Sequence, residues 1–251
     1  MSQTAQKETD EKKRDKKAVV EQRAPFADQL DFEASEAYNV LRTNVILSLT
    51  QKDRGHIIGM TSSAPHEGKS YTSVNLSYAL AKNGSRTLLI SADMRKPTVE
   101  NYYEVPLSPG LSNLLTGGVG NADLMTVIRH LPEMSDNLYI LPAGDIPPNP
   151  SELLGSKNMK ELLQNLAQRF DYVVIDLPPV TTVVDPVAVS PNLDGILIVV
   201  NQSYSKRKTL IQALKQLRFS GVRILGFIYN GYNAHGKSKR KKSGYSNYES
   251  Y

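Results

Sequence analysis

The stretch "HIIGMTSSAPHEGKS" (residues 56–70) runs from an apolar segment straight into a small, polar, glycine-containing turn. Its first half, 56–62, is a short apolar run of the kind found in strands covered on both faces. The turn "SSAPHEGKS" (62–70) follows at once, and helical spacing resumes over 69–83. Gly68-Lys69-Ser70 matches the close of the phosphate-binding loop pattern, with Ser63 at the place of its first glycine. In such a loop the backbone N–H groups and the helix N-terminus point at phosphate oxygens. The lysine ammonium reaches the β- and γ-phosphates, and the serine hydroxyl ligates Mg²⁺. Ser63, Ala64, Pro65, His66, Glu67, Gly68, Lys69, Ser70 and Tyr71 are therefore the candidate nucleotide-binding residues. A GKS triplet alone is common; the strand before it and the helix after it give it meaning.

Working outward, five more apolar runs read as strands: "RTLLIS" (86–91), "NLYILPAG" (137–144), "YVVIDLPP" (172–179), "GILIVVN" (195–201) and "RILGFIYN" (223–230). Helical stretches are expected over 33–50, 69–83, 111–116, 121–130, 157–169 and 205–219. Phe32, Tyr38, Leu41, Val45 and Leu49 mark the first as amphipathic, and Leu210, Leu214 and Leu217 form a stripe on the last. Continuous β-branched strands alternating with helices predict an α/β fold, a largely parallel sheet with helices on both faces. No internal repeat interrupts the order. Residues 1–31 read as a disordered polar segment, 32–231 as the folded domain, and 232–251 as a flexible, basic, tyrosine-rich tail.

Two further strands end in acids. Asp93 follows the second strand and Asp176 closes "YVVID" (172–176). Asp176 reads either as an acid that holds Mg²⁺ through water or as the cap of a turn before Pro178-Pro179. In a parallel sheet, Lys69 and Ser70, Asp93 and Asp176 converge at the carboxyl edge, where open α/β sheets bind ligands. Ser70, Asp93 and Asp176 are the candidate metal ligands. Arg95-Lys96 beside Asp93 reads either as a phosphate binder or as a solvated pair.

Composition narrows the classes. The 251 residues contain no cysteine, which excludes disulfides and thiolate metal sites and fits an intracellular setting. The four histidines show no metal-ligand spacing. No run of about 18 apolar residues appears, so membrane association is expected through a partner or surface charge. The net charge of +5 is concentrated in 232–251, where five basic residues face only Glu249, so nothing requires a nucleic-acid face. That same tail carries Tyr245, Tyr248 and Tyr251 three apart with no apolar period to bury them.

The motifs "APHEGKS", "ADMRKP" and "VIDLPP", in this order and at these intervals, resemble those of the bacterial tyrosine kinases. More narrowly, the chain is similar to the soluble, single-domain kind that accompanies capsule and exopolysaccharide operons in Gram-positive bacteria. The likeness spans about 33–230 and includes "GLSNLL" (111–116) and "LPAGDIPPNPSELL" (141–154). It implies a P-loop NTPase fold of the deviant Walker type, as in ParA- and MinD-like ATPases, with ATP and Mg²⁺ as cofactors. It implies phosphate transfer to tyrosine hydroxyls, chiefly Tyr245, Tyr248, Tyr251 and Tyr232 of a neighbouring subunit's tail, with Lys69, Asp93, Asp176 and position 91 as the catalytic set. The implied partners are further copies in a ring, the cytoplasmic segment of a transmembrane activator or polysaccharide co-polymerase, and a cognate tyrosine phosphatase. The implied location is cytoplasmic, recruited to the inner face of the membrane.

Two positions depart from the family pattern. Ser91 stands where the first aspartate of "DxDxR" is expected, and a serine hydroxyl is a far weaker base than a carboxylate. In the helix at 33–50, relatives that form rings carry Glu-x-x-Arg-x-x-Arg; here Glu36 and Arg42 flank Asn39. Two rival functions stay open. A partitioning-type ATPase would place a lysine at position 64, which is Ala64, and would leave the tyrosines unexplained. An ATP-binding scaffold with little turnover accommodates Ser91.

Overall fold

The computed structural model of the protein describes residues 26–118 and 124–231. Helix α1 (Phe32–Ser48) starts where the Asp31 carboxylate accepts the N–H of Ala34 at 2.8 Å, an N-cap that satisfies a free helix donor. Strand β1 (His56–Ser62) then delivers the chain through the turn into α2 (Lys69–Lys82). After β2 (Thr87–Ser91) come the short helices α3 (Val99–Tyr103), α4 (Leu111–Leu115) and α5 (Leu124–Val127). Strands β3 (Arg129–His130) and β4 (Leu138–Leu141), helices α6 (Pro150–Leu154) and α7 (Lys157–Ala167), and β5 (Tyr172–Asp176) follow. Helix α8 (Asp185–Val189), β6 (Gly195–Asn201), α9 (Arg207–Phe219) and β7 (Ile224–Asn230) complete the fold.

The sheet has seven strands in the order β3-β4-β2-β5-β1-β6-β7. Every neighbouring pair is parallel except β3 with β4. Alternate residues of each strand feed two separate cores. Ile57, Leu88, Ile90, Val173, Ile175, Ile196 and Ile198 pack with Met159, Leu163 and Leu166 of α7 and Ala213 and Leu217 of α9. Ile58, Met60, Leu89, Val174, Leu197 and Val199 pack on the other face with Val74, Leu76 and Leu80 of α2. Helix α1 contributes Val45 there, so α2 is held between the sheet and α1 and is buried almost throughout. This double cover fixes the N-terminus of α2, where the phosphate loop ends.

The structure differs from the sequence reading at identifiable points. Part of the helix expected over 121–130 lies outside the described residues; within the remainder, Leu124–Val127 is helical but Arg129–His130 joins the sheet. His130 stacks on its cross-strand partner Tyr139, with ring centroids 4.6 Å apart, a contact that local periodicity does not encode. The strand expected over 137–144 stops at Leu141, because Pro142 has no N–H to give and Gly144 turns into the left-handed region at φ +83°. The strand expected over 172–179 stops at Asp176, ahead of Pro178-Pro179. Phe32, expected on the packed side of α1, is 81% exposed. Phe26 and Ala27, read as part of the polar lead-in, pack on the domain instead. Phe26 lies edge-on to Tyr102 and Tyr103, and the N–H of Ala27 donates to Asn75 Oδ1 at 2.8 Å. Tyr232, Tyr245, Tyr248 and Tyr251 lie outside the described residues.

Candidate active site at the carboxyl edge of the sheet

The turn after β1 needs unusual backbone. His66 and Gly68 adopt φ of +64° and +89°. A Cβ at Gly68 would fall 1.9 Å from Asn230 Nδ2, so glycine is required by both conformation and contact. Ser63 and Glu67 are buried, Pro65 and His66 are exposed, and the half-buried Tyr71 lies 6.5 Å from the ring of Tyr38 on α1. Lys69, the first residue of α2, extends across the ends of β2 and β5. Its Nζ lies 2.9 Å from Asp93 Oδ2 and 3.4 Å from Asp176 Oδ2. The Ser70 hydroxyl donates to Asp176 Oδ2 at 2.6 Å, and Ser73 donates to Asp176 Oδ1 at 3.1 Å. The residues singled out at three separate strand ends thus meet around one ammonium.

Burial works against the charge on Lys69, but Asp176 and Asp93 outweigh it and raise its pKa above the ordinary lysine value. Burial also pushes Asp176 up from the usual carboxylate range, opposed by Lys69 and by the hydroxyls of Ser70 and Ser73. Burial outweighs these partners, so the shift of Asp176 stays upward. Asp176 is not a turn cap, since its side chain faces Ser70 and Lys69. Ser91 ends β2 in register with Asp176 and is fully buried, and its hydroxyl has no hydrogen-bond partner.

These residues fit Mg²⁺ and a nucleoside triphosphate. Ser70, Asp93 and Asp176 offer hard oxygen ligands, and one or two carboxylates suffice for a cation that keeps waters and phosphate oxygens in its shell. Helix α2 begins directly after Gly68, the arrangement in which a helix N-terminus meets phosphate.

Arg95 is neither free nor simply solvated, being paired with an acid. Its guanidinium holds the buried Asp185 carboxylate at 3.0 and 3.2 Å and touches Ser151 at 3.2 Å, bolting the loop after β2 to α6 and α8. Lys96 remains solvated. On α1, Asn39 bridges Glu36 and Arg42 within one helix: it donates to Glu36 Oε1 at 2.7 Å and accepts from Arg42 at 3.1 Å. Arg42 also reaches the carbonyl of Ala79 at 3.3 Å. Ser73, Asp185 and Asn230 were missed by sequence reasoning. Ser73 sits one helical turn after Lys69 and could have been found by that spacing; nothing local marks the other two.

Residues 55–220 match the family model described as an AAA domain. The tyrosine-protein kinase CpsD of Streptococcus agalactiae is 34% identical over 220 residues, covering 82% of this chain and 92% of that protein. The tyrosine-protein kinase ptk of Acinetobacter johnsonii is 36% identical over 197 residues, and the match spans only 26% of its length. Among solved structures, the kinase domain of the Escherichia coli tyrosine kinase ETK superposes with a TM-score of 0.77 at 29% identity, covering 89% of this chain and 87% of that one. With an ammonium between two strand-end acids, a phosphate loop feeding a buried helix, and relatives that share most of its length, the chain belongs to the bacterial tyrosine kinases.

Proposed function

We propose that the protein is an ATP- and Mg²⁺-dependent protein tyrosine kinase whose first substrates are Tyr245, Tyr248, Tyr251 and Tyr232, presented by a neighbouring copy. The observation that carries this reading is Lys69 poised between Asp93 and Asp176, with Ser70 on the same carboxylate. Bound Mg-ATP supplies the phosphoryl group together with the cation that neutralises its charge. Lys69 offers its ammonium to phosphate oxygens, while Ser70, Asp93 and Asp176 hold the metal. Ser91 cannot take the tyrosine proton as a carboxylate would, so the rate rests on positioning and charge neutralisation.

Each phosphate adds about −1.5 to −2 charges near neutral pH, so three outweigh the net charge of +4 that five basic residues and Glu249 give to 232–251. Release of a basic tail from an acidic groove or an anionic surface follows from that reversal. The motif resemblance extends the reading to capsule or exopolysaccharide biosynthesis, to a cytoplasmic location, to assembly into rings through Glu36 and Arg42, and to control by a transmembrane activator and a phosphatase. Among the described residues no helix is long and apolar enough to cross a membrane, which is compatible with recruitment by a partner.

A second reading, an ATP-binding scaffold, is favoured by the unpartnered hydroxyl of Ser91 where a base belongs. Intact-mass spectrometry after incubation with Mg-ATP separates the two. Mass steps of single phosphates that map to the tail and vanish in Lys69→Met support the kinase. Bound nucleotide without any such step, in the presence of the activator segment as well, supports the scaffold. Replacing all four tail tyrosines by phenylalanine should remove most labelling and leave nucleotide binding intact.

A further inference from the structure

The phosphate loop contains an anion of its own. Glu67 is fully buried, and among the described residues no lysine or arginine pairs with its carboxylate. Neutral donors hold it instead. The N–H groups of Ser63 and Ala64 donate to Oε2 at 2.7 and 3.0 Å, and the Ser63 hydroxyl donates to Oε1 at 2.8 Å. The Ser205 hydroxyl, from the segment between β6 and α9, donates to Oε1 as well. These contacts account for both oxygens of the carboxylate.

An unpaired buried carboxylate beside a triphosphate site is electrostatically unfavourable, so its presence requires a geometric return. The geometry supplies one. The side chain folds back on Ser63 and Ala64, the first two residues of the loop, and α2 begins two residues after Glu67. The main chain of Glu67 is gripped from the opposite side: its carbonyl accepts Asn230 Nδ2 at 3.0 Å. Asn230 is the last residue of β7 and in turn accepts the N–H of Gly231 at 2.8 Å. Ser205 meanwhile accepts the N–H of Asn201, the last residue of β6, at 2.7 Å. The ends of β6 and β7 therefore converge on a single residue of the loop, one from the side-chain side and one from the backbone side.

We propose that Glu67 is the positioning residue of the nucleotide site: its carboxylate closes the start of the phosphate loop onto itself and fastens it to Ser205, while Asn230 fixes the Glu67 peptide. This inference rests on the reading of the turn as a nucleotide loop and adds what sets its shape. The clasp works through acceptor geometry, with the net charge a cost. Glu67→Gln retains an acceptor for the two backbone N–H groups and presents its amide to hydroxyls able to accept. Glu67→Ala leaves two buried N–H groups and two hydroxyls without their partner.

The test uses the full chain, calorimetric titration with Mg-ADP, and thermal unfolding of each variant without ligand. Glu67→Ala should weaken Mg-ADP binding about 10- to 100-fold, the range expected when charge-assisted hydrogen bonds are lost. Glu67→Gln should recover most of that loss. In the phosphorylation assay Glu67→Ala should raise KM for ATP with kcat at saturation nearly retained, a split that general destabilisation would not produce. Ser205→Ala and Asn230→Ala, each removing one arm, should weaken binding by about 3- to 10-fold and keep the inference testable if Glu67→Ala does not fold. Unchanged affinity in all three alanine variants overturns the clasp, as does a Glu67→Gln protein as impaired as Glu67→Ala. A wild-type chain that binds Mg-ADP yet transfers no phosphate removes the kinase reading and leaves the clasp standing; a wild-type chain that binds no nucleotide removes both.

Discussion

Ser91→Asp is the substitution with the largest consequence of opposite sign for stability and for chemistry. Ser91 is in register with Asp176 on the adjacent strand, and Asp93 follows two residues on, just past the end of β2. An aspartate there places a third carboxylate beside one ammonium, that of Lys69. Without metal the added charge is buried and only partly compensated. The idealised penalty for a buried carboxylate relaxes in real proteins to several kcal/mol; shared access to Lys69 reduces it to about 2–4 kcal/mol. For a chain of this size that corresponds to a fall in Tm of roughly 4–16 °C. Burial and like charges raise the folded-state pKa of the new acid, so protonation favours the fold. The loss is therefore small below its unfolded pKa of about 4 and grows as pH rises through the folded value. Mg²⁺ with nucleotide would reverse the balance, because the third carboxylate would then face a dication. The shift in Tm on adding Mg-ATP should be larger in Ser91→Asp than in the parent, and tail phosphorylation should rise by about 10²–10⁴ as a carboxylate base becomes available. Differential scanning fluorimetry with and without Mg-ATP, followed by intact-mass time courses, reads both effects. A variant with the parent's unliganded Tm and the parent's rate would refute the reasoning, because it would remove Ser91 from the charged cluster.

Three other substitutions test separate parts of the site and fold. Lys69→Met leaves Asp93 and Asp176 buried without their cation, so Mg-ATP phosphorylation should vanish and stability at neutral pH should fall by about 3–5 kcal/mol, measured by urea unfolding. Gly68→Ala forces a Cβ against Asn230 and a side chain into positive φ; a loss of about 2–4 kcal/mol and weaker Mg-ADP binding are expected by denaturation and calorimetry. Asp194 is held below the usual carboxylate range: burial is outweighed by Arg54 at 2.8 Å, by Lys52 and by the Ile57 N–H at 2.8 Å. A depressed pKa gives stability that is present above the unfolded value and lost as pH falls through the folded one. Asp194→Asn should therefore cost about 1–2 kcal/mol at pH 7, the partners being part-exposed, and the two proteins should converge below about pH 4.

The chemistry was legible because each of its residues is tied to a local pattern. A strand that ends in GKS and strands that end in acids can be recognised one at a time, and the parallel topology brings their ends together without further information. His130 on Tyr139 and Arg95 on Asp185 are different in kind. Each joins residues from separate elements, and although Arg95 stood out in its own motif, nothing there named Asp185 as its partner. Helix α1 is an intermediate case. Its apolar residues are spread around the axis, with Phe32 and Leu47 exposed by 81% and 78% and Val45 buried, so periodicity located the helix without locating its packed side. Glu67 was read only as one residue of the candidate nucleotide loop, and nothing in its local pattern signals that its carboxylate accepts from the loop's own donors and from the distant Ser205.

The charge arrangement of the site turns on residue 91. Lys69 faces two carboxylates, and the neutral Ser91 keeps the cluster from carrying a third. The third anion of the region, Glu67, pairs with no cation among the described residues and is satisfied by neutral donors of Ser63, Ala64 and Ser205. One cation between two acids leaves the pair short of a single positive charge, which is the deficit a metal ion would fill. A serine at 91 therefore favours a stable unliganded fold over a strong base, and an aspartate would favour the base at the expense of that fold. Stability and turnover compete at this one position, and a library at residue 91 should show Tm without ligand and phosphorylation rate moving in opposite directions. Asparagine at 91 separates the two causes: it has the shape of aspartate without its charge, so it should keep the parent's Tm and show no gain in rate. A gain in rate with asparagine would mean that hydrogen bonding, and not proton abstraction, limits the reaction.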